Sequence, residues 1–226
     1  MEDITIIYCS SNKENPEFEK RIRDNILKYC DLPIVSVTQK PIDFGTNICV
    51  GEDVGVSGFN FFRQSLIACK AATTKFVLSC EADTVYPPDY FKFIPKRDDK
   101  CYRNKNLYVM GHRRDYFYKK EEGATHAQIV GRQFYIDTLE KLFEGEPEWD
   151  GNQKNFPKEK FHGKAEDVFS REDIEMYETE NPVVQIKTSQ SMRHYTNSDR
   201  IPRDEIPFWG TGKDFRDRFY NIGKYH

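Results

Sequence analysis

The chain has 226 residues, 38% hydrophobic and 14% aromatic, enough to bury the core of one large domain and to exclude global disorder. Its net charge of -3, with 31% charged residues, excludes a generally basic, nucleic-acid-coating surface but leaves room for a local basic groove. No cationic leader precedes an apolar run, and no apolar stretch approaches the ~20 residues of a membrane span, so no membrane insertion and a cytoplasmic location are expected.

From the N-terminus, the β-branched run Ile4–Cys9 predicts a first strand, followed by the polar turn Ser10–Lys13. Phe18, Ile22, Ile26 and Leu27 then recur at helical spacing, and Ile34–Thr38 predicts a second strand stopped by Lys40-Pro41. Strand, helix and strand within so short a span imply a βαβ unit and a parallel sheet. The glycine-rich stretch 48–58 lacks both the dinucleotide fingerprint and the Walker loop, so spacing supports phosphate binding only weakly. Phe59, Phe62, Leu66 and Cys69 share one helical face, with Ser57 as the expected N-cap. Arg63 borders that face, either as a snorkelling surface residue or as a ligand contact.

A buried strand is predicted over Phe76–Cys80, and it ends in Glu81-Ala82-Asp83 ahead of Pro87-Pro88. In extended backbone, residues i and i+2 point to one side, so these two carboxylates can converge on a cation or a polar ligand; the plainer alternative is a solvated turn. The segment 95–100 reads as a charged turn, Tyr108–Met110 as a strand, Tyr135–Phe143 as a helix with Leu139 and Leu142 inward, and Val183–Ile186 as a last strand. Residues 144–164 read as a long charged loop. Cys9, Cys30, Cys49, Cys69, Cys80 and Cys101 lack paired metal-site spacing and are expected as reduced thiols.

This order of features resembles the GT-A fold of nucleotide-sugar-dependent glycosyltransferases, especially family 2-like enzymes, with the most specific match between Ser57 and Tyr90. The resemblance implies an α/β, Rossmann-like single domain with a mostly parallel central sheet flanked by helices. It assigns residues 1–110 to a nucleotide-sugar-binding half, 111–200 to an acceptor half, and leaves 201–226 as an aromatic and basic extension packed on the domain. It further implies that Asp83 holds Mn²⁺ or Mg²⁺ against the donor diphosphate, with His194 completing the metal shell. Glu81, with Ala82 in the same motif, would meet the ribose or reach the metal through water. Asp167, with Glu166 as the alternative, would be the general base of an inverting transfer. Tyr8, Ser10 and Ser11 would hold base and ribose, Arg63 a base or phosphate, and Gly131 would admit donor sugar or acceptor. Glu81 departs from the family's usual Asp, which weakens the ribose assignment.

The expected reaction is transfer of a sugar from a nucleotide-diphosphate donor, UDP-sugar favoured, to a hydroxyl of a soluble acceptor: a saccharide, a protein or a modified DNA base. The DNA alternative rests on Arg97, Lys100, Arg103 and Lys105 around Tyr102, and on Lys154, Lys158, Lys160 and Lys164 around Phe156 and Phe161. From another class, a nucleotidyltransferase would need a glycine-rich signature after the first strand, which Ser10–Glu14 lacks. A non-catalytic sugar-nucleotide-binding module is the remaining alternative.

Overall fold

The computed structural model describes residues 3–150, 167–192 and 198–221. The chain runs β1 (Ile4–Ser10), α1 (Pro16–Tyr29), β2 (Ile34–Thr38), β3 (Thr46–Cys49) and α2 (Gly58–Ala71) into β4 (Phe76–Glu81). It continues through β5 (Thr84–Val85), β6 (Cys101–Asn104), β7 (Leu107–Gly111), β8 (Tyr118–Lys119) and β9 (Gln128–Gly131) to α3 (Arg132–Leu142). Then follow β10 (Ile174–Tyr177), β11 (Val183–Lys187), the short β12 (Glu205–Ile206) and β13 (Gly210–Thr211), and α4 (Gly212–Phe219).

The central sheet has seven strands in the order β10-β6-β9-β4-β1-β2-β3. β9 is antiparallel to both its neighbours and all other pairings are parallel, which is the mostly parallel sheet expected. β1 sits inside it with all seven residues buried, as a strand covered on both faces must be. Its period of two sorts the core: Ile4, Ile6 and Tyr8 pack with Phe18, Ile22 and Ile26 of α1, while Ile7 and Cys9 pack with Phe59, Phe62 and Leu66 of α2. Each such fully buried Ile or Phe contributes about 1.5–3 kcal/mol of transfer free energy. The helices start where the sequence says they should. Asn15 caps α1 by accepting from the Glu17 and Phe18 amides, with Pro16 at the first helical position, and Ser57 caps α2 by accepting from the Asn60 amide.

A second sheet, β5-β11-β7-β8, lies beyond β4 in the chain and carries β11 toward the end of β4. There the Ile186 amide donates to the Asp83 carbonyl at 2.8 Å. The C-terminal stretch is part of the same core: Trp209, Phe215 and Phe219 are buried in the cluster that holds β1 and α1 side chains.

Several expectations need correction. Leu27 is 56% exposed, because the inward stripe of α1 is completed by Asn25 and Ile26 instead. β3, β6 and β10 were not expected as strands; β6 and β10 pair with each other inside stretches dominated by polar and charged residues. Gly131 does not leave room for a sugar. A Cβ there would lie 1.7 Å from the Asp98 carbonyl oxygen, so the glycine serves close backbone packing at the start of α3.

Candidate functional site

β2, β1 and β4 are parallel neighbours, so their C-terminal ends meet at one edge of the sheet. α1 leaves that edge on one face and α2 leaves it on the other, which opens a crevice between their N-terminal ends. The cleft has a volume of about 100 Å³ and is open to solvent. Ser10 at the end of β1 and Ser11 beyond it, Gln39 beyond β2, and Glu81, Ala82 and Asp83 at the end of β4 line it. Glu14 ahead of α1, Gln64 on α2 and residues 190–192 beyond β11 complete its walls.

The turn after β1 is rigidly tied. Ser10 Oγ donates to the buried Glu19 at 2.9 Å and accepts from the Asn12 amide at 2.9 Å, while the Ser10 carbonyl accepts from Gln64 Nε2 at 3.1 Å. Asn12 holds a positive φ of 53°, a conformation that Asn tolerates better than most residues, and its Oδ1 accepts from the Lys40 amide. The turn is thereby fastened to the end of β2. Gln39 is buried, and its Nε2 donates to the Gly55 carbonyl at 2.5 Å. That bond decides the amide's orientation and leaves Oε1 without a hydrogen-bond partner among the described residues.

Asp83 is oriented from outside the central sheet. Gln185 Nε2 of β11 donates to both its carboxylate oxygens, at 3.2 and 3.1 Å, and Thr84 Oγ1 donates to Oδ1 at 3.0 Å. Burial, and then the charge of Asp83, push the Glu81 carboxyl up, with Lys187 offsetting part of the effect. Burial likewise pushes Glu14 up to about 7, against the hydrogen bond that Thr188 Oγ1 donates to it; the charges of Asp83 and Glu19 add to the rise. The cleft thus crowds carboxylates against too little positive charge.

Asp167 has a different environment. Arg103 grips both its oxygens, Nη1 on Oδ2 and Nη2 on Oδ1, and the Phe169 amide donates to Oδ1 at 3.1 Å. Arg103 is buried, and its Nε donates to Gln128 Oε1 at 3.2 Å. Asp167 is absent from the cleft walls. Both Asp167 oxygens are thus engaged, so the expected base is not free in this arrangement.

Two further assignments need correction. Tyr8 turns toward α1, fully buried and edge-on to Phe44 with ring centroids 5.0 Å apart, and does not line the cleft. Arg63 lies over the Phe143 ring at 3.8 Å and donates to the Pro147 carbonyl at 2.5 Å, facing the loop after α3. The first basic-aromatic group is also spent internally: Arg97 pairs with Asp99, Lys100 donates to the Glu172 carbonyl, Lys105 pairs with Glu178, and Tyr102 is buried. Glu166, His194 and the second group, Lys154–Lys164, lie outside the described residues. All six cysteines are free thiols, four of them buried.

Sequence reasoning missed Gln39, Glu14, Gln185 and Lys187. Gln39 follows β2 as Ser11 follows β1, and the rule that ligands sit beyond the carboxyl ends of parallel strands singles it out. Gln185 has no sequence signal; only the pairing of β11 with β5 carries it to Asp83.

No family model and no curated protein matches the chain. It is similar to the solved structure of a glycosyltransferase involved in the glycosylation of the major capsid of PBCV-1, at 15% identity and a TM-score of 0.44, over 77% of this chain and 81% of that one. It is also similar to S. aureus TarS 1-349 in complex with UDP-GlcNAc, at 12% identity and a TM-score of 0.46, over 85% of this chain and 60% of that one. A third is the glycosyltransferase GlyE of Streptococcus pneumoniae TIGR4, at 8% identity and a TM-score of 0.49, over 76% of this chain and 44% of that one. Among the described residues, no helix is long and apolar enough to cross a membrane. The seven strands and their flanking helices, with acids at the end of β4, give the chain an α/β fold with a mostly parallel central sheet.

Proposed function

We propose that the chain is a metal-dependent glycosyltransferase whose nucleotide-diphosphate sugar donor lies in the cleft at the ends of β1, β2 and β4. The observation that carries this reading is the set of Glu14, Glu81 and Asp83 lining one open cleft beside the polar turn Ser10–Ser11, where burial and then the charge of Asp83 raise the carboxyls of Glu14 and Glu81. Crowded carboxylates of this kind suit a hard divalent cation, Mn²⁺ or Mg²⁺. Among the described residues no three His, Cys, Asp or Glu side chains form a metal cage. A cation held by Asp83 would therefore complete its shell with water and the donor's phosphate oxygens, as Mg²⁺ commonly does. Its contribution is to neutralise the charge that gathers on the departing diphosphate.

The chain's own groups do the positioning. Gln185 holds the Asp83 carboxylate in place, and the positive charge of Lys187 offsets part of the rise at Glu14 and Glu81. Gln39 Oε1, an acceptor in want of a donor, suits a base that presents a ring N–H, as uracil does at N3. Cytosine presents a lone pair at that atom, which would face the amide oxygen repulsively. The Arg103–Asp167 pair leaves the general base open, and Asp167 serves as one only if substrate draws Arg103 away from it.

Thermal denaturation with UDP, CDP, GDP and ADP, each with and without Mn²⁺, tests the proposal. The expected result is stabilisation by UDP that is larger with Mn²⁺ and loses its Mn²⁺-dependent part in Asp83→Asn. A melting temperature indifferent to every nucleotide, with and without the metal, would remove the donor site from this cleft.

A further inference from the structure

At the opposite edge of the same sheet, where β1 and β4 begin, the fold leaves a second cavity of about 280 Å³, close to the lower end of ligand-site sizes. Its apolar lining comes from Leu32 after α1, Phe76 at the start of β4, and Phe91, Phe93 and Ile94 from the segment after Pro87-Pro88. Phe93 is fixed in that wall by stacking on Tyr177, with ring centroids 4.0 Å apart, while Ile94 is left 71% exposed at the mouth.

The rim is cationic in a chain that is net negative. Lys75, Lys92 and Lys96 all line the cavity, against a single carboxylate, Asp3. Lys75 is paired with Asp98 at 3.1 Å. Among the described residues, Lys92 and Lys96 have no carboxylate within ion-pair distance, and both are exposed. Apolar walls below two unpaired ammonium groups select a ligand that is greasy along its length and negative at one end.

We propose that this cavity binds a single-chain amphiphilic anion, an alkyl chain ending in a carboxylate or phosphate, with the chain against Phe76, Phe91 and Ile94 and the charge at Lys92 and Lys96. The site is separate from the cleft. Ile4 and Ser10 mark the two ends of β1, and a strand of that length spans roughly 20 Å.

The test is calorimetric titration of the full chain with decyl phosphate below its micelle concentration, with decyltrimethylammonium as the counter-probe. Saturable one-to-one binding of the phosphate alone is expected, weakened about tenfold in Lys92→Glu/Lys96→Glu by reversal of two exposed charges. Ile94→Asp should weaken it as well. Both variants should keep the parental melting curve and the parental response to UDP and Mn²⁺, which separates failure of this site from failure of the cleft. The proposal falls if the cationic amphiphile binds equally well, if the double reversal leaves the affinity unchanged, or if no saturable binding is seen. Sedimentation with phosphatidylglycerol vesicles in the absence of decyl phosphate binding would also overturn it, by assigning the surface to a membrane.

Discussion

The acids at the end of β4 and the acid at position 167 look alike in sequence and end in opposite states. Glu81 and Asp83 stand in an open cleft with Glu14 close enough to add to the electrostatic strain, and their polar neighbours orient more than they neutralise. Asp167 is neutralised as fully as a carboxylate can be, by a buried arginine with bidentate geometry. The difference separates two uses of a carboxylate. Those lining an open cleft remain accessible to a ligand, whereas one matched to a guanidinium holds two segments together.

Substitutions can break or sharpen that contrast. The largest expected effect is on turnover: Asp83→Asn should reduce sugar transfer by on the order of 10²-fold or more while leaving the melting temperature at pH 8 at or above that of the parent. Asp167→Ala should do the reverse in stability. It strands a buried Arg103 and should cost about 3–5 kcal/mol, lowering the melting temperature by on the order of 10 °C for a chain of this size. Replacing both partners, as Arg103→Met with Asp167→Leu, should recover most of that loss. If Asp167→Ala instead melts like the parent but transfers no sugar, the acid belongs to the chemistry and not to the scaffold.

Gln39→Leu should erase the preference for UDP over CDP, a change of roughly tenfold in relative affinity measured by titration, because one directional acceptor is removed. An unaltered preference would place base recognition elsewhere.

The smallest effect is the pH dependence of stability. Glu14 and Glu81 have folded-state pKa values above those of the unfolded chain, so the fold favours their protonated forms. Their contribution is fully present below the ordinary carboxylate range, near pH 4.3, and is lost as pH rises through about 7 for Glu14. In the absence of metal the melting temperature should therefore decline between pH 5 and pH 8. Glu14→Gln should flatten that decline, and Mn²⁺ should oppose it more at pH 8 than at pH 5. A decline identical in Glu14→Gln would show that this carboxyl does not titrate in the range.

Much of the scaffold was readable residue by residue. The β-branched runs of β1, β2 and β4, the spacing of Phe18, Ile22 and Ile26, and the cap Ser57 are local signals, and local hydrogen bonding and periodicity are what they encode. β6 and β10 were not readable, because Arg103, Glu175 and Met176 give no alternation until their partners are known. Within the cleft, Ser10, Ser11, Glu81 and Asp83 followed from strand ends, while Tyr8 was misplaced by one step of the strand alternation.

The sequence by itself determined a βαβ start, a strand terminating in two acids, and the order in which those pieces come, since each depends on neighbours within a few residues. The tertiary structure alone settles which acids line an open cleft and which is held by an arginine. Hydrogen bonding and ion pairing act across space: Gln185 reaches Asp83 from 102 positions away and Arg103 reaches Asp167 from 64, and neither distance along the chain carries any trace of the contact.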